Sequence, residues 1–533
     1  MRSQYPSIGI VGAGPGGLAT AVLLASQGLD VDLYEAQEQI GGRTGRVQLG
    51  DFGFDMGPTF FLMPHVLQEI FTAAGRSLYE EVDLTRLDPM YRLVIGQPDD
   101  PDVVIDATQD VEEMARRIDA VNRRDGQRFH DFIAYNRQKL DRFESILRRP
   151  FRSAADLIRL DTLKALPLLS PTKCVQDINS RFFSHPAVQL AVGFQSKYLG
   201  MSPADCPSLF SILPFIEYEY GVWHPKGGCH ALMQALARVF TDLGGKIHVG
   251  TPVRKAAFSG RKVTGLHLGG RSEGTFARHD HVVMNADAAW ALKNLVPQRL
   301  RPKYTDKSLD RKKYSCSTYM LYLGIDGEID LPHHTIRTSP DYHQNLEDIG
   351  ADNGYGGRLS KRPSYYVCNP SATDDSLAPA GQSSLYVLMP TPNTRADIDW
   401  SLESGWVRDG LIRAMQEDLG VDLRGRIVTE KRYTPDDWQG GNINFGATFN
   451  LSHSMDQLLH RRPRHRVPHT DGLWLAGGGT HPGSGLPVIF LSSQITAKLL
   501  LDEIGLPGYT TESTAAVPPT TVQPAGKPAL AMQ

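Results

Sequence analysis

The chain has 533 residues, which at roughly 150 residues per domain predicts two to four structural units with a large buried core. Its 56 Lys and Arg against 59 Asp and Glu leave a net charge of −3, which excludes a nucleic-acid-binding polycation and an acidic solvating chain. The five cysteines (Cys174, Cys206, Cys229, Cys316, Cys368) are far apart, odd in number and form no C-x-x-C, so no disulfide framework or metal centre is expected and a reducing cytoplasm fits best.

Two charge-free windows, 3–29 and 472–497, are broken by glycines and prolines and read neither as membrane spans nor as a secretory signal. Ser7–Val11 is a β-branched run followed by GAGPGG and then by Leu18, Val22, Leu23 and Ala25 at helical spacing, with Gly28 placed to end the helix. Val31–Glu35 alternates as a second strand. This is a strand, glycine turn, helix and strand within about 30 residues, the opening of a dinucleotide-binding fold. Lys246–Val249, Thr251–Val253 and His281–Asn285 are expected to feed back into the same sheet.

Between about 110 and 210 the pattern is helical, whereas Ser315–Gly324 and Ser383–Met389 alternate as strands of a second, substrate-facing sheet. From 506 onward the chain is rich in Thr, Ala and Pro and is expected to be disordered. The expected division is a discontinuous nucleotide-binding domain (5–105, 225–300 and 465–505), a helical part (106–224), a sheet region (301–464) and a tail (506–533).

Gly12, Gly14 and Gly17 supply G-x-G-x-x-G: the first allows the tight turn, the second lets backbone approach a pyrophosphate, and the third lets helix and strand pack closely. Glu35 stands 23 residues after Gly12, placed to accept hydrogen bonds from a ribose diol. NAD and FAD share this fingerprint. Gly41, Gly42 and Arg43 follow within one short loop, where a second glycine turn and a guanidinium can close over a pyrophosphate, which favours FAD. An ordinary glycine turn with a solvated arginine is the rival reading.

Six segments then add up to a family: GIVGAGPGGLATAVLLASQGLDVDLYEAQEQIGGRTG, DMGPTFFLMP, YLGMSPADCPS, GVWHPKGG, CNPSATDDSLAPAGQSSLYVLMPTP and GLWLAGGGTHPGSGLPVIFLSSQITA. In order from residue 7 to 505, they resemble bacterial phytoene desaturases and the related carotenoid desaturases and oxidases of the flavoprotein amine oxidase-like group. The resemblance implies an α/β fold, with a Rossmann-like FAD-binding domain and a discontinuous second domain of mixed sheet and helices. It also implies one FAD, a long isoprenoid hydrocarbon substrate, a cytoplasmic enzyme peripherally bound to the cell membrane, and quinone or oxygen as electron acceptor.

Carried over by motif, Gly12, Gly14, Gly17, Glu35, Gly42 and Arg43 look like adenosine and pyrophosphate contacts, and Val253 matches the position whose backbone meets the adenine. Gly479, Gly483, Gly485 and Pro487 belong to the block returning to the flavin, where a helix N-terminus can stabilise an anionic reduced ring. Typical desaturases continue this block as G-[IV]-P-G-V, whereas Leu486–Gln494 reads LPVIFLSSQ, which keeps a carotenoid terminal-methyl oxidase or ketolase open. A water-soluble amine oxidase and a non-catalytic prenyl-binding protein of the GDP-dissociation-inhibitor type share the fold.

A hydrocarbon substrate offers no heteroatom, so its binding must come from apolar burial at about 25 cal/mol per Å². Phe60, Phe61, Phe194, Tyr198, Phe210, Phe215, Tyr218, Tyr220 and Trp223 are candidate walls, although core packing explains any one of them. Desaturation needs hydride removal to the flavin and loss of a proton from the neighbouring carbon. Asp156 and Arg159 form a D-x-x-R pair on one helical face, matching a pair in related desaturases whose acid has been proposed as base; a surface ion pair is the alternative. His481 is a second candidate acceptor, or else fixes the glycine loop. Arg148, Arg149, Arg152, Arg159, Lys164 and Lys173, set around Leu157, Ile158, Leu160, Leu163, Leu166, Leu168 and Leu169 with Asp156 and Asp161 as the acids, read as a basic amphipathic membrane surface or as a helix packed on the nucleotide domain.

Overall fold

The computed structural model describes residues 5–159, 162, 164, 167, 168, 170–350 and 357–511. The apolar run Ile8–Val11 is a strand buried along its whole length, and every residue of the following helix, Pro15–Ala25, is buried as well. That helix lies against the sheet and against the long C-terminal helix Leu486–Ile504. The approach is close because a Cβ at Gly17 would overlap the Gly12 carbonyl oxygen, so only glycine fits there.

Ile8–Val11 sits at the centre of a five-stranded parallel sheet ordered Leu473–Leu475, His281–Met284, Ile8–Val11, Val31–Tyr34, Lys246–His248. Three distant stretches of chain therefore build one sheet. Thr251–Val253 does not join it. Val253 opens Val253–Ser259, which pairs antiparallel with Lys262–Leu268, itself paired with Phe276–Arg278. The buried residues of this small sheet, Val253, Ala256, Val263, Leu266 and Leu268, pack with Val11, Tyr34 and Met284 over the edge of the parallel sheet.

A second sheet has seven strands, ordered Ile427–Tyr433, Ser317–Ile325, Ser383–Thr391, Tyr365–Cys368, His334–Thr338, Tyr91–Ile95, Val103–Ala107. All pairs are antiparallel except His334–Thr338 with Tyr91–Ile95. Tyr91–Ile95 and the start of Val103–Ala107 fall within the segment 5–105 expected to belong to the nucleotide-binding domain; they pair instead in this seven-stranded sheet, so the chain leaves the first sheet earlier. In Ser317–Ile325 the alternation of a strand decides which neighbour each side chain meets. Tyr319, Leu321, Leu323 and Ile325 pack on helix Trp400–Leu419, whereas Met320 and Tyr322 pack on Phe52 and Phe54 of the hairpin Arg46–Leu49 and Phe52–Asp55.

The helices Val111–Val121, Arg123–Leu147, Val175–Phe182, Pro186–Ala191 and Ile212–Tyr220 pack on one another, and Val111–Val121 and Pro186–Ala191 also meet the strands Val103–Ala107 and Tyr91–Ile95 of the second sheet. The proposed basic surface is only partly of that kind. Arg148 pairs with Glu69 of helix Pro64–Ala73 at 2.7 Å and with Glu144, so it holds the helical part to the nucleotide domain. Arg152, Arg159, Lys164 and Lys173 are exposed, as is Ile158 at 75%. Leu160, Asp161, Leu163, Leu166 and Leu169 lie outside the described residues. Among the described residues no helix is long and apolar enough to cross a membrane. The tail expected from 506 begins ordered: Tyr509 donates its hydroxyl to the Gln494 carbonyl at 2.9 Å, and 512–533 lie outside the described residues.

Candidate functional site

The two glycine turns meet at the C-terminal ends of the parallel strands. Gly12 has φ +98° and donates its N–H to the Tyr34 carbonyl at 2.7 Å, while Gly41, at φ +107°, donates to the Ala13 carbonyl at 2.8 Å. A Cβ at Gly42 would come within 3.3 Å of the Gly14 Cα, so the second turn is seated directly on the first. No side chain caps the helix N-terminus at Gly14, leaving its first-turn N–H groups and positive end open to an anion.

Glu35 follows the second strand, 7% exposed, with Oε2 accepting from Ala13 N–H at 2.8 Å and Oε1 from Gln37 N–H at 2.9 Å. Burial pushes its carboxyl above the ordinary value, and those N–H groups pull it back in part. A carboxylate has about four acceptor positions, so a diol can still be bound. Arg43 is half-buried and donates Nη1 to the Thr448 carbonyl at 3.0 Å; burial lowers its pKa, and the nearby Asp287 carboxylate opposes that. Val253, beside Tyr34, lies one residue past Pro252 in the return that begins where Thr251 N–H meets the Glu35 carbonyl at 2.8 Å.

The motif search missed Asn285 and Asp287. Asn285 closes the third strand of the crevice: its Oδ1 lies 3.1 Å from where a Gly14 Cβ would stand, and its Nδ2 donates to the Ala476 carbonyl at 3.1 Å. Asp287 caps the helix Ala288–Leu295 through Ala289 and Trp290 N–H. Polar residues just past the buried run His281–Met284, ahead of a helix, were the signal available.

The block containing Gly479, Gly483 and Gly485 wraps over the same crevice. A Cβ at Gly479 would overlap Ala288, and one at Gly483 (φ +146°) would overlap His453. Gly485, at φ +114°, is the uncapped N-terminus of helix Leu486–Ile504, and Pro487 lies in its first turn. Two further residues missed from sequence set this loop. His453 Nε2 accepts from Ser484 N–H at 3.0 Å, and Arg462, 1% exposed, donates to the carbonyls of Thr480, Gly478, Ser452 and Leu451.

The acid–base candidates fare differently. Asp156 belongs to a short 3-10 helix, Ala154–Leu157, which ends before Arg159, so the two do not share one helical face. Its Oδ2 accepts from Arg152 and Ser153 N–H at 2.8 and 2.9 Å. Burial is the largest single influence and raises its pKa, but these bonds and the adjoining arginines together outweigh it and hold the carboxyl below the usual range. Arg159 is exposed beside it, and the two line a depression with Arg149, Pro150 and Arg152. His481 is buried with Nε2 3.3 Å from the Ile146 carbonyl and its ring 5.0 Å from Phe151; burial first, then His465, pushes its pKa down to about 3. An imidazole held that low is a poor proton acceptor; its bond to the Ile146 carbonyl ties the glycine loop to helix Arg123–Leu147, as His453 ties it through Ser484.

The aromatic expectation resolves into a wall. Phe60 stacks on His334 at 4.0 Å and leans on Tyr198 at 5.5 Å, Tyr366 at 5.7 Å and Tyr91 at 6.1 Å, while Phe194 meets Tyr91 edge-on at 5.4 Å. Phe61 bridges to Trp223, Phe210 meets His453 at 5.7 Å, and Phe215 lies under Arg137. Tyr220 stands at the end of helix Ile212–Tyr220, 4.5 Å from His65. Behind Phe60 is the one group of metal-ligand type among the described residues, His333, His334 and Cys368, with ligand atoms within 4.8 Å of one another. Burial holds both imidazoles well below their ordinary pKa, with Nδ1 bonded to the Thr373 and Tyr366 hydroxyls at 2.9 and 2.7 Å.

Two glycine turns on a parallel sheet, an acid after the second strand and a returning C-terminal helix are arranged here as in a flavin oxidoreductase. The chain belongs to the flavin-containing amine oxidoreductase family, whose model matches residues 15–501, and within it to the carotenoid desaturases and oxidases. It is 40% identical to a 4,4'-diapophytoene desaturase (4,4'-diapolycopene-forming) of Methylomonas sp over 92% of this chain and 94% of that one. It is 37% identical to an all-trans-zeta-carotene desaturase of Myxococcus xanthus, covering 94% of each. The fold is also that of putrescine oxidase, with a TM-score of 0.61 at 12% identity over 93% of this chain and 99% of the other. The chain is a flavin oxidoreductase acting on CH–CH groups.

Proposed function

We propose that the chain is an FAD-dependent desaturase that introduces conjugated double bonds into a phytoene-like acyclic carotenoid precursor, taken from a membrane surface, with quinone or oxygen as electron acceptor. The observation that carries this reading is the 40% identity over 92% of the chain to an enzyme named for diapophytoene desaturation, together with a double glycine cradle suited to a flavin dinucleotide. Gly12, Gly14, Gly17 and Gly42 clear room for the pyrophosphate, Arg43 offsets its charge, and Glu35 accepts from the ribose. The uncapped N-terminus at Gly485 supports the electron-rich edge of the ring. The flavin, when bound, supplies the hydride-accepting group.

The block that departs from typical desaturases does packing work. Ser492 Oγ accepts from Gly477 N–H at 2.9 Å and bonds Thr480 Oγ1 at 2.7 Å, Ser493 Oγ donates to the Gly16 carbonyl at 2.9 Å, and Phe490 and Leu491 are buried. These residues lock the helix to the glycine loops, so packing accounts for the departure from the usual block. The test is incubation of FAD-loaded protein with phytoene or diapophytoene in liposomes. Visible absorption with products lighter by two hydrogens per step is expected; unchanged precursor, with pre-desaturated carotenoid gaining oxygen, overturns the reading in favour of the oxidase.

A further inference from the structure

The strands His334–Thr338 and Tyr365–Cys368 pair antiparallel, and their register sets His334 directly opposite Cys368. Directly opposed residues share one face of a sheet, with Cβ atoms about 5 Å apart. His333, one residue ahead of the first strand, is held at the same end because its carbonyl accepts from Asn369 N–H at 2.8 Å. One ring nitrogen from each histidine and the Cys368 Sγ therefore lie within 4.8 Å of one another, and none of the three residues is more than 5% exposed. Cysteine spacing gives no hint of this set, because two strands in register bring it together.

The surroundings of the two imidazoles are those of metal ligands. Nδ1 of His333 is bonded to the Thr373 hydroxyl at 2.9 Å and Nδ1 of His334 to the Tyr366 hydroxyl at 2.7 Å, while Nε2 of both rings is buried with no hydrogen-bond partner among the described residues. A buried polar atom left in that state calls for an explanation. A ring anchored through one nitrogen, with a lone pair to spare on the other, is the arrangement that outer hydrogen-bond partners impose on histidines around a metal ion. Negative charge to balance a cation is close as well: the ring of His224 lies 4.6 Å from that of His333, and its Nε2 is 3.0 Å from the Asp374 carboxylate.

We propose that His333, His334 and Cys368 bind one zinc ion. Two imidazoles and a thiolate suit a borderline-soft ion, and zinc, with its filled d shell, accepts the tetrahedral arrangement that three protein ligands and one small ligand give. At ~2.0–2.3 Å from one ion such ligand atoms stand roughly 3.3–3.6 Å apart, so the set closes by little more than an ångström. The zinc–sulfur bond replaces the S–H bond of Cys368, and the proton leaves to solvent. The ion ties two neighbouring strands of the seven-stranded sheet and fixes the His334 ring, on which Phe60 of the aromatic wall stacks at 4.0 Å. None of this depends on the desaturase reading.

Flavin-loaded wild type, stripped with a chelator and then given Zn2+, should retain an equimolar amount of zinc through gel filtration and melt at a higher Tm than the stripped protein. Co2+ in place of Zn2+ should give the intense visible bands of a tetrahedral ion at wavelengths beyond the flavin absorption, and a sulfur-to-cobalt charge-transfer band in the difference spectrum. Cys368→Ser should abolish the charge-transfer band and weaken zinc binding at least ~100-fold in competition with a chelating dye, at unchanged flavin content. Thr373→Val removes the anchor of His333 Nδ1 but no ligand; it should weaken zinc binding ~10-fold or more while keeping the charge-transfer band, and it serves if Cys368→Ser fails to fold. Zinc lost on gel filtration, the weak spectrum of an octahedral cobalt ion, or wild-type zinc affinity in the variants overturns the site and leaves an adventitious ion only.

Discussion

Arg462 has four main-chain carbonyls as hydrogen-bond acceptors and no carboxylate among them. Burial alone lowers its pKa to about 9, so it remains a cation at neutral pH, held where the C-terminal glycine loop needs its carbonyls gathered. Arg462→Met should leave those carbonyls unpaired and lower stability by about 3 kcal/mol or more, seen as a reduced Tm together with faster flavin loss. Glu217 makes stability depend on pH in the opposite sense from most carboxylates. Its pKa rises from 4.5 in the unfolded chain to about 7 when folded. The folded state therefore keeps a proton that the unfolded state has released, and stability should fall by roughly 3 kcal/mol as pH rises from 4.5 to 7. Urea unfolding of wild type and Glu217→Gln across this range checks it, since the variant should lack that component.

Helix Leu486–Ile504 gains its place through buried hydroxyls more than through charge. Ser492→Ala removes the acceptor of Gly477 N–H, and a loss of about 1–3 kcal/mol with weaker flavin retention is the expected result, measurable by thermal unfolding and flavin fluorescence. What was legible in the sequence follows the same division between local and distant partners. Ile8–Val11, Pro15–Ala25 and Val31–Tyr34 are fixed by apolar period and glycine chemistry over a few residues, so they were read correctly. Val253–Ser259 reads equally well as a strand, but nothing local says that it pairs with Lys262–Leu268 instead of the parallel sheet. Tyr91–Ile95 was misassigned because its partner, His334–Thr338, lies more than 200 residues away. Asp156 was overvalued by motif, since a D-x-x-R spacing does not reveal that the helix stops at Leu157.

At the scale of the whole molecule, the connection that follows helix Arg123–Leu147 carries the most exposed apolar side chain of the basic stretch. Ile158 is 75% exposed, between exposed Arg152 and Arg159 on a short connection after helix Arg123–Leu147. Arg148, just upstream, is committed to Glu69 and so contributes to domain attachment, not to any lipid surface. If this face meets the bilayer, each exposed cation near an anionic surface contributes about 1 kcal/mol and falls off within a Debye length. Arg152→Glu combined with Arg159→Glu should then weaken cosedimentation with phosphatidylserine-containing vesicles at least ~10-fold, with flavin content unchanged, because neither side chain touches the glycine cradle. Ile158→Ser should weaken it independently of salt, since its contribution is apolar burial and the change adds no charge. Salt-insensitive binding by both variants at wild-type strength places the membrane contact elsewhere on the molecule and leaves this connection as a solvent-facing seam between the helical part and the nucleotide domain.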